Sequence, residues 1–366
     1  MGHTEYLGQR VGNPIFLNVL SEIAQNKKVD HTLVLFGAGL WGREYLEFAK
    51  KYFEEILFCD NNSDKWGTTI EGVPVISFDQ LKNVFTNSYI TITSLDYYDS
   101  ILEQLIGNHM KDRLLPPLSG IVDEGFNDYT QIIDSNQSEF DQTFDLLADD
   151  LSKQVFIQRI NLLLTGDIKN LFSLRSKSPQ YFEEEIIHLT SEEIFVDGGA
   201  YTGDTVEEFL RNTDGKFRGI YSFEPETTKH PAFSEKFSNH DNIHLFPSGL
   251  WNEEKLLKFD SLDNGSSAIN QTGNSEVKVV SLDRVLSDEP VTFIKMDIEG
   301  AELMALEGAR ETIKKYKPKL AICIYHKPLD IVQIPLLIKK LVPEYKIYLR
   351  HYNINTYETV CYAVID

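Results

Sequence analysis

Glycines and acidic residues that follow short apolar runs are the residues of this sequence best suited to chemistry. Asp197 ends one such run and precedes glycines at 198, 199 and 203, while Glu224 and Asp297 end later runs. Such runs predict buried strands of a parallel sheet, whose carboxyl ends hold ligands in open α/β folds. Glycines there let backbone N–H groups approach a ligand, and an acid after the second strand can accept both ribose hydroxyls. We therefore predict a nucleoside site with Glu224 at the ribose.

Two carboxylates distinguish this first turn from a pyrophosphate site. Asp197 precedes the glycines, and Asp204 opens the following helix, where a phosphate would otherwise bind and would be repelled. A ligand with an amine or a positively charged sulfur suits the turn, and S-adenosylmethionine has both. The alternative is that Asp204 only caps its helix and Asp197 binds amides of the turn. The three segments together favour a methyl donor over a dinucleotide.

The sequence from about residue 145 to its end resembles the FkbM-type methyltransferases, which are Rossmann-like and depend on S-adenosylmethionine. The segments that carry the resemblance are FVDGGAYTGDT, FEPE, SGLW, VVSLDRVL, IKMDIEGAELMALEGA, and IYHKP followed by IPLLIKKLVPEYKIYLRHY, in this order. The resemblance implies a class I methyltransferase domain with a mostly parallel sheet. It also implies methyl transfer to an oxygen, often a hydroxyl of a sugar or polyketide.

The resemblance further implies roles for individual residues. The donor site would comprise a turn, the ribose acid, an adenine-side segment, a serine near the donor methionine and an acid beside the methyl group: Asp197, Gly198, Gly199, Ala200, Tyr201, Thr202, Gly203, Asp204, Thr205, Glu224, Ser248, Gly249, Leu250, Ser267 and Asp297. Glu299 and Glu302 complete the acidic signature around Asp297, and Asp283 matches a further acid of the family. We expect Glu299 and Lys327 to contact the acceptor.

Methyl transfer from a sulfonium requires alignment of the acceptor oxygen and removal of its proton. His326 is the hypothesised base because imidazole titrates near neutral pH, and Asp297 is the competing candidate. A third interpretation is a hydrogen-bonded structural histidine. Asp297, Glu299, Asp283 and His326 could also ligate Mg²⁺ or a transition ion. Because carboxylates at a helix start equally bind backbone amides, we favour a site with no metal.

A second glycine turn lies near the N-terminus. Gly37, Gly39 and Gly42 follow a predicted strand and open a helix, and Asp60 ends the next strand, which completes a dinucleotide pattern. The following CDNNSDKWGTTIEGVPVISFDQL resembles the small Rossmann-like domain attached to sugar-modifying transferases. The hypothesis is a site for a nucleotide or a nucleotide-linked sugar. The alternatives are a domain that serves only packing, or an NAD site, although no paired hydride-transfer residues accompany it.

Strands and helices alternate in two stretches of the chain, which predicts two α/β domains. We expect an N-terminal segment at 1–28, a smaller Rossmann-like nucleotide-binding-type domain at 29–130 and the methyltransferase domain at 191–366. Between them, at 131–190, apolar residues recur three and four positions apart, which predicts a helical connector.

Composition limits the remaining classes of function. The chain has 366 residues and a formal net charge of −21, so nucleic acid is not an expected partner. Residues 301–366 carry more basic than acidic side chains, which leaves room for a small phosphorylated acceptor such as a nucleotide-linked sugar. Three scattered cysteines and the lack of a long apolar run favour a cytoplasmic protein without a membrane span. A homo-oligomer, or a non-catalytic protein that retains the donor fold, is also compatible with the sequence.

Overall fold

The structure of the chain is a computed structural model. It describes residues 14–25, 27–94, 97–118, 129–166, 171, 173–260, 268–269, 275–353 and 357–365. Two mainly parallel sheets belong to two α/β regions, and a group of helices lies between them along the chain. The predicted α/β class, with a Rossmann-like C-terminal part preceded by a smaller α/β part, is confirmed.

The N-terminal sheet has five strands in the order β3-β4-β2-β1-β5, parallel except for the β3–β4 pair. Its strands are β1 Val29–Phe36, β2 Phe53–Cys59, β3 Thr69–Ile70, β4 Val73–Ile76 and β5 Tyr89–Ile92, and its helices are α1 Pro14–Ala24, α2 Leu40–Tyr52, α3 Phe78–Asn83 and α4 Tyr98–Gly107. Helix α2 buries Gly42, Tyr45, Leu46 and Ala49, which the helical period places on one face. The glycine turn at 37–39 therefore joins β1, an interior strand, to a well-packed helix.

Three helices follow, α5 Tyr129–Ser135, α6 Gln137–Leu146 and α7 Asp150–Thr165. Helix α7 begins at the Asp149 cap, whose carboxylate accepts the Ser152 N–H, and ends at Gly166 with φ +70°. The predicted helical connector is wrong for residues 174–190, which contain short turns and no helix. Pro179 lacks the N–H that a helix requires, and Phe182 packs in the core beside the C-terminal sheet.

The C-terminal sheet has seven strands in the order β15-β16-β14-β13-β6-β7-β8, parallel except for β16, which lies antiparallel to both of its neighbours. A smaller sheet has the order β11-β10-β12-β9. The strands of the two sheets are β6 Ile194–Gly198, β7 Gly219–Phe223, β8 Ile243–Phe246, β9 Gly249–Leu250, β10 Lys255–Asp260, β11 Ala268–Ile269, β12 Ser275–Val280, β13 Phe293–Met296, β14 Lys319–Cys323, β15 Lys346–His351 and β16 Thr359–Val364.

The central strands of this sheet are buried on both faces. Ile194 and Ile294 contribute to one core, whereas Phe195 and Phe293 point to the other face and stack at 5.0 Å. Helices connect and flank the strands: α8 Asp204–Asn212, α9 His230–Phe237, α10 Leu282–Val285, α11 Glu302–Glu307, α12 Arg310–Tyr316 and α13 Asp330–Leu341. This double burial explains why the strands are mainly apolar and why their polar residues lie toward the carboxyl ends.

In the described part of the chain, no helix combines the length and the apolar character needed to cross a membrane.

Candidate active site

A cavity of about 330 Å³ opens at the carboxyl ends of β6, β7 and β13. Gly199 and Tyr201 after β6, Glu224 after β7, and Asp297 and Glu299 after β13 all line it. The parallel register brings these strand ends together, since β6 pairs with both β7 and β13. The volume lies in the range of small-molecule sites.

A buried lysine holds the glycine turn beneath this cavity. Lys295 Nζ donates to the carbonyl oxygens of Gly198 at 3.1 Å and Gly199 at 2.8 Å, and it lies 3.0 Å from Asp197 Oδ1. The side chains of Lys295 and Asp197 are 2 % and 0 % exposed. The Asp197 carboxylate thus pairs with a lysine, and neither of its oxygens accepts a hydrogen bond from an amide of the turn.

The charges of this pair persist at neutral pH. Burial raises the pKa of Asp197 to about 6, although the Lys295 charge opposes that rise. Burial alone would lower the pKa of Lys295, but the Asp197 and Asp297 carboxylates outweigh it and keep that pKa above its usual value. Gly199 itself must be a glycine, because its φ is +76° and a Cβ would lie 1.9 Å from the Asp297 carbonyl oxygen.

Glu224 sits where the sequence predicts the ribose acid. Its Oε2 accepts the Tyr201 N–H at 2.8 Å and its Oε1 accepts the Glu226 N–H at 2.7 Å. Burial raises the pKa of Glu224, and these two amide bonds oppose the rise. The bonds fix the carboxylate at the cavity wall, and each oxygen keeps further lone-pair capacity for a ligand hydroxyl.

Asp297 is held by two tyrosines. The Tyr181 hydroxyl donates to Oδ2 at 2.8 Å and the Tyr325 hydroxyl donates to Oδ1 at 2.9 Å. Burial would raise the pKa of Asp297, but hydrogen bonding and charge from His326, together with Lys295 and Tyr181, hold it below its usual value. Asp297 is therefore an oriented anion at the cavity wall.

His326 lies between carboxylates on both sides of its ring. Nδ1 is 3.0 Å from Glu302 Oε1, and Nε2 is 3.3 Å from Asp297 Oδ1 and 3.6 Å from Glu299 Oε2. Burial would lower the pKa of His326, but Glu302 and Asp297 together hold it well above its usual value. The ordinary imidazole pKa assumed from the sequence therefore does not apply to His326.

Glu299 is the more exposed acid of this group, with 41 % of its side chain accessible. Its backbone has a φ of +56°, a left-handed conformation that is costly for a residue with a side chain and that places it at the cavity. Burial raises the pKa of Glu299 to about 7, with His326 opposing the rise. Lys327 does not line the cavity, because its Nζ turns back to the Gly300 carbonyl oxygen.

Asp297, Glu302 and His326 each offer a ligand atom within 4.8 Å of the others, but Glu302 faces Nδ1 of the ring whereas Asp297 faces Nε2. Asp283, which the sequence places in the same candidate set, lies elsewhere. Its carboxylate accepts the N–H groups of Glu311 and Thr312 at the start of α12. Asp283 therefore caps a helix.

The predicted donor residues divide into two groups. Those that line the cavity are Gly199, Tyr201, Asp204, Thr205, Glu224, Gly249, Leu250 and Asp297. Those that support the cavity or flank its lining are Asp197, Gly198, Ala200, Thr202, Gly203 and Ser248. Asp204 is the first residue of α8, whose cap is Gly203, so it does not cap the helix as the alternative interpretation proposes. Ser267 lies outside the described residues.

Sequence reasoning missed three lining residues that come from distant parts of the chain. Gln180 and Tyr181 precede the C-terminal sheet, and Glu358 precedes its last strand. None lies in a recognisable motif. The positive φ of Tyr181 (+70°) and Glu358 (+63°) indicates that both backbones are constrained, a signal that only the structure provides.

The N-terminal glycine turn borders a separate cavity of about 760 Å³. Gly37, Gly39 and Asp60 line it, whereas Gly42 supports the helix packing, since a Cβ there would lie 2.2 Å from the Gly37 carbonyl oxygen. The Asp60 carboxylate accepts the N–H groups of Ala38 and Asn62 and the ammonium of Lys65. Asp60 therefore holds the turn.

Comparisons with known proteins agree with the arrangement of the C-terminal part. The family model of the methyltransferase FkbM domain matches residues 197–353. The crystal structure of an FkbM methyltransferase from Methylobacillus flagellatus KT is similar over 95 % of this chain and 93 % of its own, with 24 % identity and a TM-score of 0.70. No curated protein matches the chain.

Two further solved structures are similar to about half of this chain. An rRNA methylase from Streptococcus thermophilus covers 49 % of this chain and 90 % of its own, at 19 % identity and a TM-score of 0.33. Aeropyrum pernix fibrillarin, in complex with natively bound S-adenosyl-L-methionine, covers 50 % and 71 %, at 13 % identity and a TM-score of 0.32. The family model matches residues 197–353, so this part of the chain is similar to the methyltransferase FkbM domain.

Proposed function

We propose that the protein is an S-adenosylmethionine-dependent O-methyltransferase that acts on a hydroxyl of a sugar or glycan precursor. The observation that carries the proposal is the single cavity into which the glycine turn, Glu224 and Asp297 all face. The lining residues suit this donor: Glu224 can accept from ribose hydroxyls, and the carboxylates of Asp204, Asp297 and Glu299 favour a ligand with cationic groups.

When bound, S-adenosylmethionine supplies a methyl group that its sulfonium already activates. The protein must then orient the acceptor and help its hydroxyl to lose a proton. We assign this step to His326 and Asp297, whose facing atoms lie 3.3 Å apart beside the cavity. Glu299, on the same wall, is placed to bind the acceptor.

Donor binding is tested by substitution of Glu224. In Glu224→Gln one carboxylate oxygen becomes an amide nitrogen that faces a backbone N–H, and the anionic acceptor for the ribose is lost. We expect the affinity for S-adenosylmethionine, measured by calorimetry, to fall by about 10- to 100-fold, as for the loss of a charged hydrogen bond with its partner left unpaired. Glu226→Gln is the matched control, since Glu226 lines the same cavity and its carboxylate lies near Lys229.

The same calorimetry separates this proposal from its alternative. An NAD-dependent protein should bind NAD and ignore S-adenosylmethionine. Failure of the full-length chain to bind S-adenosylmethionine would contradict the proposal, as would equal losses of affinity in Glu224→Gln and Glu226→Gln. Mass spectrometry of candidate acceptors, including nucleotide-linked sugars, then tests oxygen methylation directly.

A second ligand site in the N-terminal region is supported by the 760 Å³ cavity beside the glycine turn. We infer that it takes a nucleotide or a nucleotide-linked sugar. Trp41 lines the cavity and could stack on a base, and Lys65 brings a positive charge to its wall. This cavity has its own glycine turn, so it can be tested without disturbing the methyl-donor site.

Gly39→Val probes this second site. A Cβ at Gly39 meets no atom within 4 Å, so a side chain introduced there starts in open space. We expect UDP-sugar or NAD binding to the full-length chain, measured by calorimetry, to weaken at least tenfold while the melting temperature changes little. Gly107→Ala, at another glycine with open space around it, is the control. If the unsubstituted chain binds neither UDP-sugars nor NAD, the N-terminal domain serves packing only.

A further inference from the structure

The Asp297–Glu299–His326 group has the geometry of an incomplete coordination sphere. His326 Nε2 lies 3.3 Å from Asp297 Oδ1 and 3.6 Å from Glu299 Oε2. An ion with octahedral ligands at about 2.2 Å holds neighbouring ligand atoms about 3 Å apart. Both carboxylates thus lie close to that spacing from Nε2, and the Glu299 side chain is partly exposed, which leaves it room to adjust.

Glu302 provides the support that a histidine ligand requires. Its carboxylate is 1 % exposed, accepts the Ile298 N–H at 2.8 Å and lies 3.0 Å from His326 Nδ1. Metal-bound histidines commonly donate their second ring N–H to a carboxylate, which fixes the tautomer and turns the other nitrogen toward the ion. Here that arrangement directs Nε2 toward Asp297 and Glu299.

Three polar atoms around the His326 ring have no hydrogen bond of normal geometry, although both Asp297 oxygens accept tyrosine hydroxyls. The His326 side chain is 8 % exposed, and neither ring nitrogen has a hydrogen bond of normal geometry. Glu302 Oε2 is also buried without a hydrogen-bond partner. Of the nearby ammonium groups, Lys295 is paired with Asp197, and Lys327 is bound to the Gly300 carbonyl oxygen. Three carboxylates thus surround one ring, and a cation at Nε2 would balance them.

We propose that His326 Nε2, Asp297 and Glu299 bind one divalent transition ion of the Mn²⁺ type, with Glu302 holding the ring. A nitrogen ligand with two carboxylates favours such an ion over Ca²⁺. Asp297 and Glu299 line the cavity, so the remaining coordination positions face the acceptor. The role of the ion rests on the proposed function. An acceptor hydroxyl bound to the ion loses its proton to solvent, its oxygen takes the methyl group, and the sulfonium becomes a thioether.

The test removes metals from the full-length chain with a chelator and then adds Mn²⁺. Electron paramagnetic resonance measures how much Mn²⁺ binds. We expect about one Mn²⁺ per chain, with nitrogen hyperfine coupling from the imidazole. Glu299→Gln should weaken binding at least tenfold, and His326→Gln should abolish both binding and the nitrogen signal. Glu344→Gln, at an exposed acid paired with Lys317, is the matched control and should bind as the unsubstituted chain does.

Two results of the binding experiment would overturn the proposal. The first is that the unsubstituted chain binds S-adenosylmethionine but binds no Mn²⁺ at the same protein concentration. The second is unchanged Mn²⁺ affinity in Glu299→Gln, a substitution at a partly exposed side chain. The proposed function is tested separately, by calorimetry with S-adenosylmethionine. Methyl transfer that continues in the presence of a chelator would contradict the ion and support the methyltransferase.

Discussion

Lys295→Met is expected to reduce the free energy of unfolding by about 3 to 5 kcal/mol and to abolish donor binding. The substitution leaves the Asp197 carboxylate, which is 0 % exposed, without its positive partner. It also removes the two hydrogen bonds that hold the carbonyl groups of Gly198 and Gly199. Urea denaturation measures the stability, and calorimetry with S-adenosylmethionine measures the donor site.

Two controls separate the buried charge from other effects of the substitution. Lys236→Met breaks an exposed ion pair with Glu207 and should cost about 1 kcal/mol or less. The double variant Lys295→Met with Asp197→Asn removes both charges, so it should regain part of the stability while donor binding stays lost. A loss of less than about 1 kcal/mol in Lys295→Met alone would show that the pair does not stabilise the fold.

This pair illustrates how far the sequence could predict the site. Asp197 and Lys295 both stand in motifs that the sequence identifies, but their pairing depends on the β6–β13 register, which places Lys295 directly opposite Asp197. Local patterns report that strands end at these residues. They do not report which side chains meet, because that depends on contacts between segments almost one hundred positions apart.

The cavity shows the same division. Gly199, Glu224 and Asp297 could be predicted because parallel strands bring their carboxyl ends to one edge. Tyr181 could not, because it lies in a stretch where helix was expected and reaches Asp297 only through the turns around it. Asp60 fits the dinucleotide spacing, yet its carboxylate binds Ala38, Asn62 and Lys65 within the protein. Spacing locates a carboxylate without revealing whether its oxygens already have partners.

His326→Gln is expected to lower the turnover of methyl transfer at least 100-fold while the affinity for S-adenosylmethionine changes less than threefold, which is the range for loss of a residue that assists proton transfer. His326 is not among the residues that line the cavity, and it borders the cavity through Asp297 and Glu299. The donor turn and Glu224 lie on other strands, so their contacts should survive. Single-turnover kinetics and calorimetry measure the two quantities separately.

The role of the ring follows from combining this variant with a chelator. If His326 acts through an ion, the chelator should slow the unsubstituted enzyme to about the rate of His326→Gln and should have no further effect on the variant, since both changes remove the same step. If the ring took the proton directly, the chelator would leave the unsubstituted enzyme unaffected. Near-normal turnover in His326→Gln would remove the histidine from the mechanism, and Asp297→Asn would then test the remaining candidate of the pair.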